Sequence, residues 1–243
     1  MRRRKRSVVA RLRPFRIAIA FAGAAIAAAA IFLSLWPGFC PRSIVVQGNR
    51  RVSTPEILTA ARIAPHLSIW IQNTRAIARR IEAIPYIGTA SIHRIPPASI
   101  RVRVSERVPF AVVSSGLARA LVDRSLRVLA PAGAEEMPLT FVLHPGTSLS
   151  VGEFVTSAPA IEMRSAYDVM RRAGLQPVRL ELDRFGGLDV TLAGGVRILA
   201  GPAIDLEKKI RLVTAILGQV GYDRRRIAAV DVRAPATPVL VYR

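Results

Sequence analysis

The chain falls in the α+β class: one membrane-spanning helix, then two domains built from strands with a few helices. Three observations predict this. Residues 17–41 (IAIAFAGAAIAAAAIFLSLWPGFCP) hold no charged side chain and follow a tail, residues 1–16, with eight Arg or Lys and no acid. Between residues 43 and 105 the pattern reads strand, helix, helix, strand, strand, an α+β unit with two helices on one face of a small sheet. From residue 109 onward, short β-like runs alternate with turn residues around only two helical stretches.

Roughly 20 apolar residues carry a helix across the ~30 Å hydrocarbon layer. Basic residues stay on the cytoplasmic side. The reading is therefore a cytoplasmic tail over 1–16, a transmembrane helix over 17–38, and everything beyond outside the cytoplasm. A cleaved signal peptide is the competing reading, but its apolar stretch is typically ~7–15 residues. Here Leu33, Leu35, Trp36 and Phe39 fill the region where small residues mark cleavage, whereas the Ala27–Ala30 run keeps the alternative open. A lipoprotein is disfavoured because Cys40 follows the bulky Phe39. Trp36 suits the outer interface, where its ring sits at headgroup level.

The formal charge is +20; the tail holds eight of the 36 basic residues, so 28 bases against 16 acids leave +12 on the remainder. Nucleic acid is the usual partner of so basic a chain, but it does not suit a domain across the membrane from it. Anionic headgroups, acidic partner proteins or simply a solvated basic surface fit better. Cys40 stands alone, so no intramolecular disulfide forms and the domains hold by packing.

In the first unit, Ser43–Gln47 reads as a strand ended by the Gly48-Asn49 turn pair. Ser53 or Thr54, then Pro55 and Glu56, open a helix, with Pro tolerated in the first turn and the acid at its positive end. Asn73 or Thr74 caps a second helix with Ile77, Ile81 and Ile84 on one stripe, and Pro85 ends it. Ile100, Val102 and Val104 alternate with Arg101, Arg103 and Ser105, a half-buried strand that Ala90 and Ile92 pair beside.

In the second unit, Phe110–Val113, Ala118–Val122, Leu126–Leu129 and Leu139–Leu143 read as strands. A helix over 158–172 aligns Met163, Ala166, Tyr167 and Met170. Val178, Leu180 and Leu182 alternate with charged residues, and Val190–Leu192, Gly194-Gly195 and Val196–Ile198 read as a hairpin. A helix over 203–219 places Leu206, Ile210, Val213 and Leu217 inward, with Asp205–Lys209 and Glu207–Arg211 as exposed i,i+4 pairs. Ile227–Val232 and Pro238–Tyr242 close the chain as strands.

Catalytic patterns are missing. His66, His93 and His144 are scattered without metal-ligand spacing, and there is no GxSxG elbow. Glu135-Glu136 are chain neighbours in a loop rather than two carboxyls ~5–9 Å apart across a bond. No phosphate-binding Gly pattern precedes a Lys. The reading is a non-enzymatic, membrane-anchored interaction protein with no catalytic residues, no metal site, no cofactor and no small-molecule substrate.

Residues 84–111, IPYIGTASIHRIPPASIRVRVSERVPFA, resemble a stretch of the bacterial cell-division family FtsQ, called DivIB in Gram-positive bacteria. The matching features are Ile84-Pro85-Tyr86, Ala90–Arg94, Pro96-Pro97, and Glu106-Arg107 with Pro109 and Ala111. Residues 44–57, IVVQGNRRVSTPEI, resemble the opening of that family's POTRA domain. Leu121-Val122-Asp123 resembles its L-V-D strand end, and Val230-Asp231-Val232-Arg233 its V-D-L-R near the C-terminus. The chain departs from the pattern at Leu126, where the family often has Gly, at Ala229, where some members carry an aromatic, and at Met137-Pro138, where Leu-Pro is common.

The resemblance implies a POTRA domain over 42–108 and a β domain over 109–243. It implies a scaffold at the division septum that recruits FtsB-like and FtsL-like single-pass proteins and other divisome membrane proteins, and so controls septal cell-wall synthesis. Such a protein is single-pass in the cytoplasmic membrane, touches membrane lipid, and binds no nucleic acid. The β domain would carry the partner site near its last strand. Physically, an edge strand offers unpaired N–H and C=O groups to which a partner segment adds as another strand. The candidate residues are Val239, Leu240, Val241 and Tyr242, with Val239 and Val241 giving selectivity and Arg233 pairing with partner acids. A proline at Leu240 or Val241 is expected to block such addition. A POTRA-bearing secretion or outer-membrane assembly component is the alternative.

Overall fold

The computed structural model describes residues 8–133, 137, 139–183, 185–220 and 226–243. Helix α1 runs over Val8–Leu35, with side chains described for 18–32. Among the described residues, no helix is long and apolar enough to cross a membrane. Arg2–Arg6 and the Glu135-Glu136 pair lie outside the described residues. The chain divides into two units, Met1–Glu106 and Arg107–Arg243.

The first unit continues as β1 (Ser43–Gln47), α2 (Thr54–Ala61), α3 (Thr74–Glu82), β2 (Ile87–Ile95) and β3 (Ser99–Glu106). The expected caps are present. The Ser53 hydroxyl accepts the Glu56 N–H at 3.3 Å and the Asn73 side chain accepts the Ala76 N–H at 3.0 Å, each satisfying a donor with no partner inside its helix. The sheet order is β1-β3-β2. Ala90 sits opposite Val104 and Ile92 opposite Val102 in the antiparallel β2–β3 pair, and β1 runs parallel to β3. Ile57, Ile69, Ile77, Ile81, Ile100 and Val102 fill the core at 0–1% exposure, each contributing about 1.5–3 kcal/mol by burial. His93 is exposed.

Gly48 has φ +92°, and a Cβ there would lie 2.1 Å from the backbone carbonyl oxygen of Val104. Only glycine fits, because both the left-handed conformation and the close approach exclude a side chain. Gly48→Ala is expected to destabilise this unit by about 1–3 kcal/mol, readable as a lower urea midpoint; an unchanged midpoint contradicts it.

Glu106 then fastens the chain that leaves this turn. Its carboxylate accepts the N–H groups of Arg50, Arg51 and Val52 at 2.8–3.0 Å. Partial burial raises its pKa, but these three donors and the Arg51 charge outweigh that and hold it below the usual carboxylate value.

The second unit is a nine-stranded sheet with two helices. Its elements are β4 (Pro109–Ser115), β5 (Ala118–Asp123), β6 (Val128–Pro131), β7 (Thr140–Leu143), α4 (Ala158–Arg172), β8 (Pro177–Leu182), β9 (Leu188–Leu192), β10 (Arg197–Gly201), α5 (Leu206–Val220), β11 (Ile227–Asp231) and β12 (Val239–Tyr242). The strand order is β12-β11-β10-β9-β8-β7-β4-β5-β6. Parallel neighbours need crossover connections. Helix α4 joins the parallel pair β7–β8 and α5 the parallel pair β10–β11. Met163, Ala166 and Met170 of α4 and Ile210, Val213 and Leu217 of α5 are buried in one cluster with Phe141, Leu180, Val190 and Val230.

Three expectations are corrected here. The strand expected over 126–129 starts at Val128, because Leu126 has φ +64° and turns the chain. In this chain the leucine is held there by its buried side chain, 1% exposed. The last helix starts at Leu206 rather than 203, after Asp205 at φ +53°. Lys209 is not an exposed partner of Asp205. It is 6% exposed, and its ammonium donates to the carbonyls of Ala200 and Pro202 at 2.8 Å each, while Asp205 pairs with Lys208 at 3.1 Å and Glu207 lies 3.6 Å from Arg172. A lysine near the inward stripe reaches the end of β10 with its charge satisfied by carbonyls.

Candidate partner-binding edge

Two strands end the nine-stranded sheet, and their outer sides differ. At β6, the Val128 N–H donates to the Glu153 carbonyl and the Gly152 N–H to the Val128 carbonyl, both at 2.8 Å. Arg127 also bridges to Phe154. Residues 152–154 thus cover that edge. At β12, among the described residues, no strand pairs with the outer side.

The side chains of β12 alternate. Leu240 is half-buried and packs on the core, whereas Val239, Val241 and Tyr242 are 54%, 45% and 57% exposed. Leu240 thus anchors the strand, and Val239 and Val241 present an apolar pair outward. Apolar residues this exposed on an unpaired strand are what natural edges normally avoid.

The backbone also alternates. The N–H of Arg243 donates to the Arg226 carbonyl at 2.7 Å, so Arg243 faces β11. Successive residues of a strand direct their N–H and C=O to opposite sides, so Val241 faces β11 as well, opposite the bulge between Ile227 and Ala229. Leu240 and Tyr242 face the open side. The preceding residue on the open side is Pro238, which has no N–H. Among the described residues, two donors therefore stand without a strand partner along this edge, at Leu240 and Tyr242. This corrects the proline expectation: at Val241 a proline removes a bond to β11, and only at Leu240 or Tyr242 does it act on the open side. Sequence alone does not set this phase, because a one-residue bulge reverses it.

Arg233 sits beyond the end of β11 and is already engaged. Its guanidinium donates to both Asp231 oxygens, Nε at 3.1 and 3.0 Å and the terminal nitrogen at 2.6 Å, and its own N–H donates to Asp231 at 3.0 Å. The Arg233 bond holds the Asp231 carboxyl below its usual pKa, against a smaller opposing effect of burial. The Arg233 stem lies over Gly201, where a Cβ would meet its Cγ at 3.1 Å. Val230 and Val232 are buried, so the V-D-V-R run alternates inward apolar with outward ion pair.

The other charged motif pieces act as fasteners. Arg107 pairs with Asp123, whose carboxylate also accepts the Ser125 N–H and hydroxyl and the Arg127 N–H. Consecutive residues thus serve separate units, Glu106 closing the first and Arg107 the second. Among the described residues, no group of three or more His, Cys, Asp or Glu is placed to hold a metal ion. The Cys40 thiol donates to the His66 carbonyl at 3.5 Å.

Residues 39–107 match the family described as POTRA domain, FtsQ-type. Among curated proteins, the chain is 27% identical over 207 residues to the cell division protein FtsQ of Mycobacterium tuberculosis, covering 84% of this chain and 61% of that protein. It is 26% identical over 219 residues to the FtsQ of Agrobacterium fabrum, covering 82% and 68%. Over 70 residues it is 37% identical to the FtsQ of Syntrophotalea carbinolica, covering 29% and 25%. The chain thus spans about three fifths of the length of the mycobacterial relative it matches.

Proposed function

The chain belongs to the FtsQ/DivIB family, and from that premise we propose that it is a non-catalytic scaffold of the division septum. Its role is to recruit and link FtsB-like and FtsL-like single-pass proteins and thereby control septal wall synthesis. The division role rests on the similarity to relatives described as cell division protein FtsQ. The recruiting role rests on one observation above all: among the described residues no strand pairs with the outer side of β12, whose Val239, Val241 and Tyr242 are exposed and whose Leu240 and Tyr242 direct their donors outward.

A partner segment adds there as a further strand. Main-chain bonds supply the affinity, and Val239 and Val241 select the apolar side chains that lie against them. We further propose that residues 17–38 cross the cytoplasmic membrane with the basic tail inside. The 25 uncharged positions after a tail of eight basic residues support this. The POTRA domain over 42–108 and the β domain over 109–243 then lie on the far side.

The test is a photo-crosslinking residue placed at Val239, with a second at Val45 of β1 as the comparison; Val45 is likewise exposed. In dividing cells, adducts to a small single-pass division protein from Val239 and not from Val45 support the reading. Adducts from Val45 with none from Val239 overturn it and move the binding surface to the POTRA domain.

A further inference from the structure

The segment between α2 and α3 presents apolar side chains that its own packing does not require. Leu67, Trp70 and Ile71 are 39%, 47% and 46% exposed, around Ile69, which is fully buried. This is a braced loop rather than a loose one. The Arg94 guanidinium donates to the carbonyls of Ile69 and Gln72 at 2.6 and 2.8 Å. The Gln72 amide donates to those of Ala64 and Leu67 at 2.5 and 3.2 Å, and the Ile71 and Gln72 N–H groups return to the Ser68 carbonyl. The apolar trio is therefore held outward by a satisfied polar frame.

That loop is tied to the residues that follow α1. The Ile69 N–H donates to the Phe39 carbonyl at 2.8 Å, the Phe39 and Trp70 rings meet edge-to-face at 6.3 Å, and Cys40 reaches the His66 carbonyl. Between Leu35 and Phe39 the chain makes a 3₁₀ turn over Pro37–Phe39. Phe39 is four residues past Leu35, so chain reach keeps it within about 14 Å of the end of α1. The polar layer of a bilayer is roughly 5–8 Å deep on each side. Between Glu56 and Glu82 the sequence holds Arg62, Arg75, Arg79 and Arg80 and no acid.

We propose that Leu67, Trp70 and Ile71 form a membrane-surface contact, seated in the anionic headgroup layer on the far side of the membrane. The proposal rests on the reading that residues 17–38 cross that membrane. Amphipathic indole prefers this depth, basic residues add attraction to anionic lipid, and the braced loop loses little freedom on docking. The contact would fix the first unit against the bilayer instead of leaving it on a free tether.

The chain has two tryptophans, Trp36 and Trp70, so single-Trp variants separate the two claims. The full-length chain is reconstituted into phosphatidylcholine–phosphatidylglycerol vesicles that carry a bromine label either near the headgroup or at the acyl-chain end. In Trp36→Phe, where Trp70 alone emits, the expected result is a loss of emission with the shallow label that exceeds the loss with the deep one. Loss of Trp36 emission in Trp70→Phe, with Trp70 unaffected in Trp36→Phe, overturns the lipid contact while the membrane span stands, and assigns the trio to a protein surface. Stronger loss of Trp70 emission with the deep label also overturns an interfacial seat. No loss from either tryptophan overturns both the contact and the span.

Discussion

Asp123→Ala lowers the stability of the second unit by about 3 kcal/mol, toward the lower end of what breaking a buried ion pair costs. Asp123 is 6% exposed and receives four hydrogen bonds, from Arg107, from the Ser125 N–H and hydroxyl, and from the Arg127 N–H. Removing it takes the carboxylate away from the Arg107 guanidinium, which keeps its bond to the Ser125 hydroxyl at 3.1 Å, and frees the turn in which Leu126 holds a left-handed backbone. Asp123→Asn keeps an acceptor for Ser125 and Arg127 but loses the charge facing Arg107, so it costs about 1.5 kcal/mol. Urea unfolding of the two variants reads the difference; equal and small effects contradict this role.

The same carboxylate sets a pH dependence. Burial raises its pKa, but the Ser125 hydroxyl, the Arg107 guanidinium and the Arg127 N–H outweigh burial and hold it below the usual aspartate value. A group whose pKa is depressed on folding contributes stability that is fully present above its unfolded value, about 3.9. That contribution is lost as pH falls through the lower folded value. Stability therefore drops below about pH 4, and Asp123→Asn flattens that drop.

Tyr242→Pro weakens partner binding by about fivefold, and Leu240→Pro with Tyr242→Pro by about thirtyfold, because each removes a donor on the open side of β12. A main-chain bond contributes about 1 kcal/mol net, and 1.4 kcal/mol is tenfold in affinity. Tyr242→Ala is the control for the lost ring. Val241→Pro behaves differently, since its N–H faces β11 (Arg243, two residues on, donates to Arg226); it destabilises the strand itself. Unchanged binding by a folded Leu240→Pro/Tyr242→Pro protein contradicts strand addition.

Local signals in the sequence read well where several agreed. Helix α4 matches the expected 158–172 span, which the stripe of Met163, Ala166, Tyr167 and Met170 marked. The pairing of the Ala90–Ile92 segment beside β3 followed from period-two alternation. Long-range closures were not legible. Nothing near Glu106 says that it caps backbone N–H groups more than 50 residues earlier, and nothing near Lys209 says that it turns inward to carbonyls rather than outward to Asp205. The edge position of β12 was expected from the family resemblance, not from the pattern of its residues. Its backbone phase was not, because it follows from the bulge between Ile227 and Ala229. The exposed Leu67, Trp70 and Ile71 were missed because a loop between two short helices carries no periodic signal.

Residue-resolved amide exchange of the chain, free and with the FtsB-like partner proposed above, tests strand addition most directly. In the free protein the Leu240 and Tyr242 amides exchange fast while Val241 is protected. With partner bound, Leu240 and Tyr242 slow by more than about tenfold, the equivalent of ~1.4 kcal/mol, and Val241 changes little. Bound partner that leaves both outward amides exchanging as fast as before contradicts the account.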